Sequence, residues 1–203
     1  MPEPELTPRK SPRQRRSVRT VDRIVDAATR VFDDLGYLDT TTNEIAAEAG
    51  VSIGSLYQYF PNKDALLVEI ARRHVAASLE AFDSLIDGLG HPIGLQQTIR
   101  AVVDLLVAGH ERDRVHLLIA HQAPRTEELN RELRRAHEHF VSAADHLLEG
   151  RIRLRERRNL AARMMVAVLD AAIHDVILRQ PRGPQRNAAI AMTTSTVMAI
   201  AEI

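Results

Sequence analysis

From residue 20 the apolar positions fall at helical steps. Val21, Ile24, Val25, Ala28, Val31, Phe32 and Leu35 recur every three or four residues and mark one face of a helix. Thr20 suits its N-cap, Asp22 complements the dipole in the first turn, and Gly36 is a natural stop. A short helix follows over 42–49, capped by Thr41 or Thr42, with Glu44 near its positive end and Ile45, Ala46 and Ala49 facing inward. Gly50 stands where a tight turn needs positive φ, and Ser52 caps a second short helix through Tyr59. Pro61 ends that helix by pushing the preceding residue out of the α region. Asn62 caps a long helix from about Lys63 into the high 80s, broken by Gly88, Gly90 and Pro92. Further helices are predicted near 92–110, 113–122, 126–149, 156–179 and 185–202, with breaks at Gly109, Pro124, Gly150 and the 181–184 loop. No stretch alternates with period two over a useful length. The expected fold is all-α, with about nine helices and no internal repeat.

The last two helices differ from the rest. Over 161–178 apolar side chains occur nearly all round: Met164, Met165, Val168, Leu169, Ile173, Val176 and Ile177 among them. Residues 188–203 are similar, with Ile190, Met192, Val197, Met198 and Ile200. A helix apolar on most sides must be covered on most sides, and a second copy of the chain is the simplest cover.

Composition narrows the function. The 203 residues are 45% hydrophobic and 27% charged, and 27 basic residues balance 27 acidic ones, so any nucleic-acid surface must be a local patch. Without cysteine there is no disulfide, thiolate metal site or thiol nucleophile. No apolar run reaches membrane-spanning length, and no apolar segment follows the basic N-terminus as in a signal peptide, so a cytoplasmic protein is expected. Residues 1–19 hold four prolines, and from Arg9 to Arg19 six basic residues run without an acid; a disordered basic arm is expected there. Five of the seven aromatic residues fall before residue 61, so the two halves differ in task.

The informative segment is 40–63: two short helices joined at Gly50–Val51–Ser52, the spacing of a helix-turn-helix. The first braces the second, which lies in a major groove. Gly54, Ser55 and Gln58 allow close approach to base edges, while Leu56 and Phe60 point to the core. Tyr57 and Tyr59 carry hydroxyls where phosphates would pass, and Lys63 places a cation at the start of the next helix. Lys63 is one of only two lysines, beside 25 arginines.

The stretch from Gly36-Tyr37 through Thr40-Thr41-Thr42, Ala49-Gly50-Val51-Ser52-Ile53-Gly54-Ser55-Leu56-Tyr57-Gln58-Tyr59-Phe60 and Asn62-Lys63 to Leu67 resembles the DNA-binding signature of the TetR (tetracycline-repressor) family. The resemblance covers about residues 20–70; the rest agrees only in length and helix content. It implies an N-terminal helix-turn-helix domain over 20–66 and a C-terminal helical ligand-binding and dimerisation domain over 67–203. It implies that Asn43, Ile53, Gly54, Ser55 and Gln58 face bases, that Thr42, Tyr57, Tyr59 and Lys63 hold phosphates, and that Ser52 belongs to the same surface. The implied partners are an operator in double-stranded DNA, a second copy through the last two helices, and a small-molecule effector. The implied action is repression relieved by the effector, the alternative being an activator or a ligand-independent DNA binder. Residues 63–88 would be the lever between effector and DNA.

The C-terminal half offers weaker signals. Candidate effector-lining residues are Phe82, Val103, Leu106, His110, Leu117, His121, Phe140, Met165, Leu169, Asp170 and His174, which would make an aliphatic, histidine-dotted cavity for a lipophilic effector. Asp170 and His174, four apart, are read as a mutually satisfied pair, a dimer contact, a ligand anchor or a metal site. Arg151, Arg153, Arg155, Arg157 and Arg158 read as a solvated loop and helix start, with anion binding as the alternative. No nucleophile–base pair or metal-ligand spacing occurs, so no enzyme activity, cofactor or metal is expected.

Overall fold

The computed structural model describes residues 15–89, 94–112 and 126–202. Eight α-helices are present among them: α1 Arg15–Leu35, α2 Thr42–Glu48, α3 Ile53–Tyr59, α4 Lys63–Gly88, α5 Leu95–Arg112, α6 Glu127–Leu147, α7 Arg155–Ala171 and α8 Pro184–Ala201. A π-helix, Ala172–Ile177, continues α7. No strand occurs among the described residues. The expected helix over 113–122 lies outside them, as do residues 1–14 of the expected arm.

Two boundaries differ from the sequence reading. Helix α1 begins at Arg15, so Thr20 is an interior residue rather than an N-cap, and residues 15–19 are helical rather than part of the expected disordered arm. Past Pro12 nothing in Arg15–Arg19 opposes helix, and arginine is a good helix former. The predicted helix over 156–179 is α-helical only to Ala171. From there the ladder widens to steps of five, as in the Leu178 N–H donated to Ile173 O at 3.0 Å. Apolar spacing over six residues does not separate the two forms.

The chain forms two compact units, Met1–Ala76 with Arg114–Glu132, and Ala77–Asp113 with Leu133–Ile203. In the first unit α1 packs on α2 and α2 on α3. Ile24, Phe32, Ile45, Leu56, Phe60, Leu66 and Leu67 are its largest fully buried side chains over residues 15–76. Asn62 starts α4 by accepting the Ala65 N–H at 2.8 Å, as its position before Lys63 predicts. One buried carboxylate ties α4 to α1. Glu69 accepts from Arg72 at 2.9 Å and Arg73 at 2.8 Å, and Arg73 also pairs with Asp22 of α1 at 2.9 Å. Burial pushes the Glu69 carboxyl up, but the two guanidinium groups outweigh it and hold it below the usual carboxylate range.

In the second unit α8 packs against α5, α7 and the π-helix. Val103, Val107, Val141, Leu148, Ala162, Met165, Ile173, Ile177 and Val197 form the core. Gly183 holds φ +145° immediately before Pro184, where proline suits the first helical position. No helix among the described residues is long and apolar enough to cross a membrane.

Candidate nucleic-acid interface

Each end of α2 is closed by its own sequence. Thr41 and Glu44 form a capping box: Glu44 Oε2 accepts the Thr41 N–H at 2.7 Å and Thr41 Oγ1 accepts the Glu44 N–H at 3.3 Å. The backbone bond from Thr41, then the side-chain bond, lowers the Glu44 carboxyl pKa. At the other end the Val51 N–H reaches Ala46 O and the Gly50 N–H reaches Ala47 O, both at 3.0 Å, which is the Schellman pattern. Gly50 supplies the required φ of +61°. Arg23 of α1 donates to Ala49 O and, at 3.0 Å, to Gly50 O, and a Cβ on Gly50 would stand 3.0 Å from that guanidinium. This second closure was missed in the sequence because it joins residues 26 and 27 positions apart.

Two residues past Gly50 stands the N-cap of the next helix. Ser52 accepts the Ser55 N–H at 3.1 Å, and their hydroxyls meet at 2.8 Å. Helix α3 therefore leaves a fixed turn. Its inner side holds Leu56 and Tyr59. Its outer side exposes Gly54 and Gln58, with Ile53 at 36% and Tyr57 at 40%. Asn43 is exposed on α2. Thr42 Oγ1 meets Tyr57 OH at 2.9 Å, linking the two short helices at the surface. A Cβ on Gly54 would find nothing within 4 Å, so internal packing does not demand glycine there.

Two expected phosphate ligands are engaged within the protein. Tyr59 is 9% exposed and belongs to the buried side of α3, so it presents little surface to a phosphate. A tyrosine two residues from Tyr57 on a helix necessarily faces away from it. Lys63 is directed into its own unit. Its ammonium donates to the carbonyl oxygens of Tyr37 at 2.8 Å, Leu38 at 3.1 Å and Thr40 at 3.1 Å, and lies 4.7 Å from the Tyr37 ring centroid. An ammonium has three N–H donors, and all three are engaged.

The expected effector-lining residues separate into two groups in the second unit, and Leu117 and His121 lie outside the described residues. Phe82 and Phe140 meet edge to face at 4.9 Å, beside a 2.6 Å contact between His139 Nε2 and Asp83 Oδ1. Val103 and Met165 are core, with Leu106 and Leu169 packed against it. His110 and His174 bring their Nε2 atoms to 3.0 Å. Leu106 O lies 2.6 Å from His110 Nδ1 and can only accept, so that nitrogen carries a proton. The two facing Nε2 atoms share a proton, while His174 Nδ1 lies 2.9 Å from Asp170 O and 3.1 Å from Asp170 Oδ1. The hydrogen bond His174 gives to Asp170 raises the His174 pKa against the effect of burial, and the same bond lowers that of Asp170. Among the described residues no cluster of three metal-ligating side chains occurs.

Two clefts lie among the described residues of this unit. One, of about 480 Å³, lies between α5 and α8 and is lined by Gln96, Gln97, Arg100, Asp104, Thr194 and Ser195 among others. The other, of about 550 Å³, is lined by Arg151, Ile152, Arg153, Leu154, Arg157, Ala201 and Glu202. None of the expected effector-lining residues borders either cleft. In the arginine cluster, Arg158 pairs with Asp145 at 3.0 Å, while Arg151, Arg153, Arg155 and Arg157 are exposed.

Comparison with known proteins adds a family. Residues 24–70 match the family described as bacterial regulatory proteins, tetR family. Over 70 residues the chain is 40% identical to the HTH-type transcriptional regulator HbdR of Aromatoleum sp. (strain CIB), a match covering 34% of this chain and 31% of that relative. A tetR-family transcriptional regulator from Mesorhizobium loti has the same fold, with a TM-score of 0.69 at 21% identity over 92% of this chain and 97% of that one. So does the transcriptional regulator FadR from Bacillus subtilis, solved with stearoyl-CoA, with a TM-score of 0.65 at 19% identity over 90% of this chain and 98% of that one. The curated match therefore spans less than a third of its relative's length.

Proposed function

We propose, for a chain that belongs to the TetR family of transcriptional regulators, that it acts as a homodimeric, ligand-responsive repressor of a palindromic operator. The observation that carries the DNA reading is the α2–α3 surface. Asn43, Ile53, Gly54, Tyr57 and Gln58 are exposed on two helices whose turn is fixed by hydrogen bonds at Gly50 and Ser52. Gln58 suits bidentate reading of adenine, and Ile53 suits a thymine methyl. Thr42 and Tyr57 present paired hydroxyls to a phosphate, with Ser52 and Ser55 at the helix start. Gly54 leaves room for backbone to approach a base edge.

A dimer places two such surfaces about one turn of DNA apart, or a multiple of it. The effector acts by differential affinity for two arrangements of the dimer, with α4, continuous from Lys63 to Gly88, carrying the change. The effector is read as lipophilic from the aliphatic make-up of the second unit, where Val103 and Met165 are core and Leu106 and Leu169 pack against it. The stearoyl-CoA bound by the Bacillus subtilis protein of the same fold is of that class. The basic residues Arg9, Lys10 and Arg13, with Arg15, Arg16 and Arg19, add electrostatic attraction to the backbone.

The test is selection of genomic DNA fragments by the purified protein, repeated with Tyr57→Ala. A recovered palindrome that the variant fails to enrich supports the reading. No enrichment by protein that has been unfolded, stripped of ligand and refolded overturns it. A reporter placed behind the recovered fragment gives the sign of regulation, and activation there would overturn repression.

A further inference from the structure

Two imidazoles from different elements of the second unit face each other. His110 stands in the last turn of α5 and His174 on the π-helix, 64 positions later, and their Nε2 atoms are 3.0 Å apart. Both residues are half-buried, beside the core residues Val107, Ile173 and Ile177. Each ring is fixed from behind. His110 Nδ1 donates to Leu106 O at 2.6 Å, and His174 Nδ1 donates to Asp170 O at 2.9 Å and Asp170 Oδ1 at 3.1 Å. A neutral imidazole that carries its proton on Nδ1 presents a lone pair at Nε2. Two helical segments therefore bring two lone pairs to one point, and a cation between them holds them there. The rings meet at 70°, with centroids 4.8 Å apart, so they are angled to each other.

We propose that this pair is a binding site for a divalent transition-metal ion, with His110 Nε2 and His174 Nε2 as adjacent ligands. The ion takes the place of the proton that the rings share in the metal-free protein. That proton leaves to solvent, and no electron is transferred. Imidazole nitrogens bind such ions at about 2.0–2.1 Å, so two ligands at a right angle stand about 3.0 Å apart and two at the tetrahedral angle about 3.4 Å. The observed 3.0 Å fits neighbouring positions of an octahedral or square-planar ion, and zinc needs a widening of only a few tenths of an ångström. Nitrogen ligands select nickel, copper or zinc over magnesium and calcium, which take oxygen. The bonds behind the rings are those that metal-binding histidines make, from the other ring N–H to a backbone carbonyl or a carboxylate. Among the described residues no third side chain completes a closed set, so the remaining positions belong to water and the site is open. A π-turn is rare and frequently marks a functional site, and here it carries one of the two ligands. Ligands 64 positions apart leave no spacing for sequence reading to find.

The experiment is calorimetric titration of the full chain, without a histidine tag and stripped with a chelator, with Ni²⁺, Zn²⁺ and Mg²⁺ in turn. The wild type is compared with His110→Asn, His174→Asn and His139→Asn, each checked for helical circular dichroism. His139 pairs with Asp83 and stands outside the site, so it controls for surface histidines. The expected result is a tightest site of one Ni²⁺ or Zn²⁺ per chain and no comparable site for Mg²⁺. His110→Asn and His174→Asn should each weaken it about tenfold or more, since losing even an outer partner of a ligand costs that much, and His139→Asn should leave it unchanged. No binding of either transition metal overturns the proposal. Binding that survives both substitutions places the ion at other histidines and overturns it too, as does loss in only one of the two. Equal affinity for Mg²⁺ overturns the nitrogen chemistry. If the variants do not fold, electron paramagnetic resonance of the wild type with one equivalent of Cu²⁺ still decides: at least two coordinated nitrogens are required, and fewer than two overturns the site.

Discussion

Tyr57 and Tyr59 are two residues apart and do different things. Tyr57 is 40% exposed and shares a hydrogen bond with Thr42, whereas Tyr59 is 9% exposed. Replacing Tyr57 by phenylalanine removes the hydroxyl and keeps the ring. Operator affinity is expected to fall about five- to tenfold, roughly the worth of one hydrogen bond. Thr42→Ala is expected to cost a similar factor, and the double variant less than the product, because one hydroxyl pair serves both. Additive losses in a binding titration would show that the two hydroxyls act separately. Residue identity alone could not divide the tyrosines, since both fit a phosphate-contact role; burial divides them. Lys63 shows the same limit. Its charge and place at a helix start were visible in the sequence, but the three carbonyl oxygens it holds lie 23 to 26 positions away. Gly54 and Gln58 were legible because a short helix with one apolar side exposes its other side by geometry.

Elements were legible where their signals are local. The Asn62 cap, the Gly36 stop and the Ser52 start all stand where the sequence places them. Gly50 is the sharpest case, since the Schellman turn at the end of α2 needs positive φ and Arg23 fills the space beside it. Gly50→Ala is expected to lower stability by about 1–2 kcal/mol from the backbone alone. Denaturant unfolding measures it, and an unchanged midpoint would mean the turn relaxes freely. The π-helix was not legible, and it carries His174. Here the pH dependence has a definite sign. His174 is raised by its bond to Asp170, so its contribution is complete below its unfolded value near 6.5 and is lost as pH rises through the folded value. Asp170 is lowered, so its contribution is present above about 3.8 and is lost as pH falls through its folded value. The stability difference between the wild type and His174→Gln should therefore be greatest between about pH 4 and 6.5 and decline toward pH 9. Asp170 is largely exposed, so the effect is small. A difference that grows toward alkaline pH would contradict a raised His174 pKa.

At the scale of the molecule, the sequence reads α7 and α8 as apolar all round, and the structure shows which part of that surface is left uncovered. Core contacts take Ala161, Ala162 and Met165 on α7 and Ile190, Val197 and Ile200 on α8. What remains on α7 is a stripe of exposed Leu160, Met164, Ala167 and Ala171, spaced by four, three and four. On α8 the stripe is Ala188, Met192, Ser195 and Ala199, with the same spacing. Leu160 is 60% exposed, Met164 45% and Met192 71%. Small residues beside large ones at helical spacing let two helices approach closely and interdigitate, as in the seam of a four-helix bundle. An isologous pairing of two copies supplies four such helices. Introducing a charge at these positions leaves the core of one copy intact but buries the charge in the pair. Leu160→Glu and Met192→Glu are therefore expected to keep the helical circular dichroism of the wild type while sedimenting as monomers at micromolar concentration. Operator affinity should fall with them, because a monomer loses the linkage that makes binding of the second half-site intramolecular. A wild type that sediments as a monomer, or charged variants that stay dimeric, would remove α7 and α8 as the interface. Full operator affinity from a monomeric variant would show that each copy reads DNA alone, and that the paired stripes serve some contact other than operator binding.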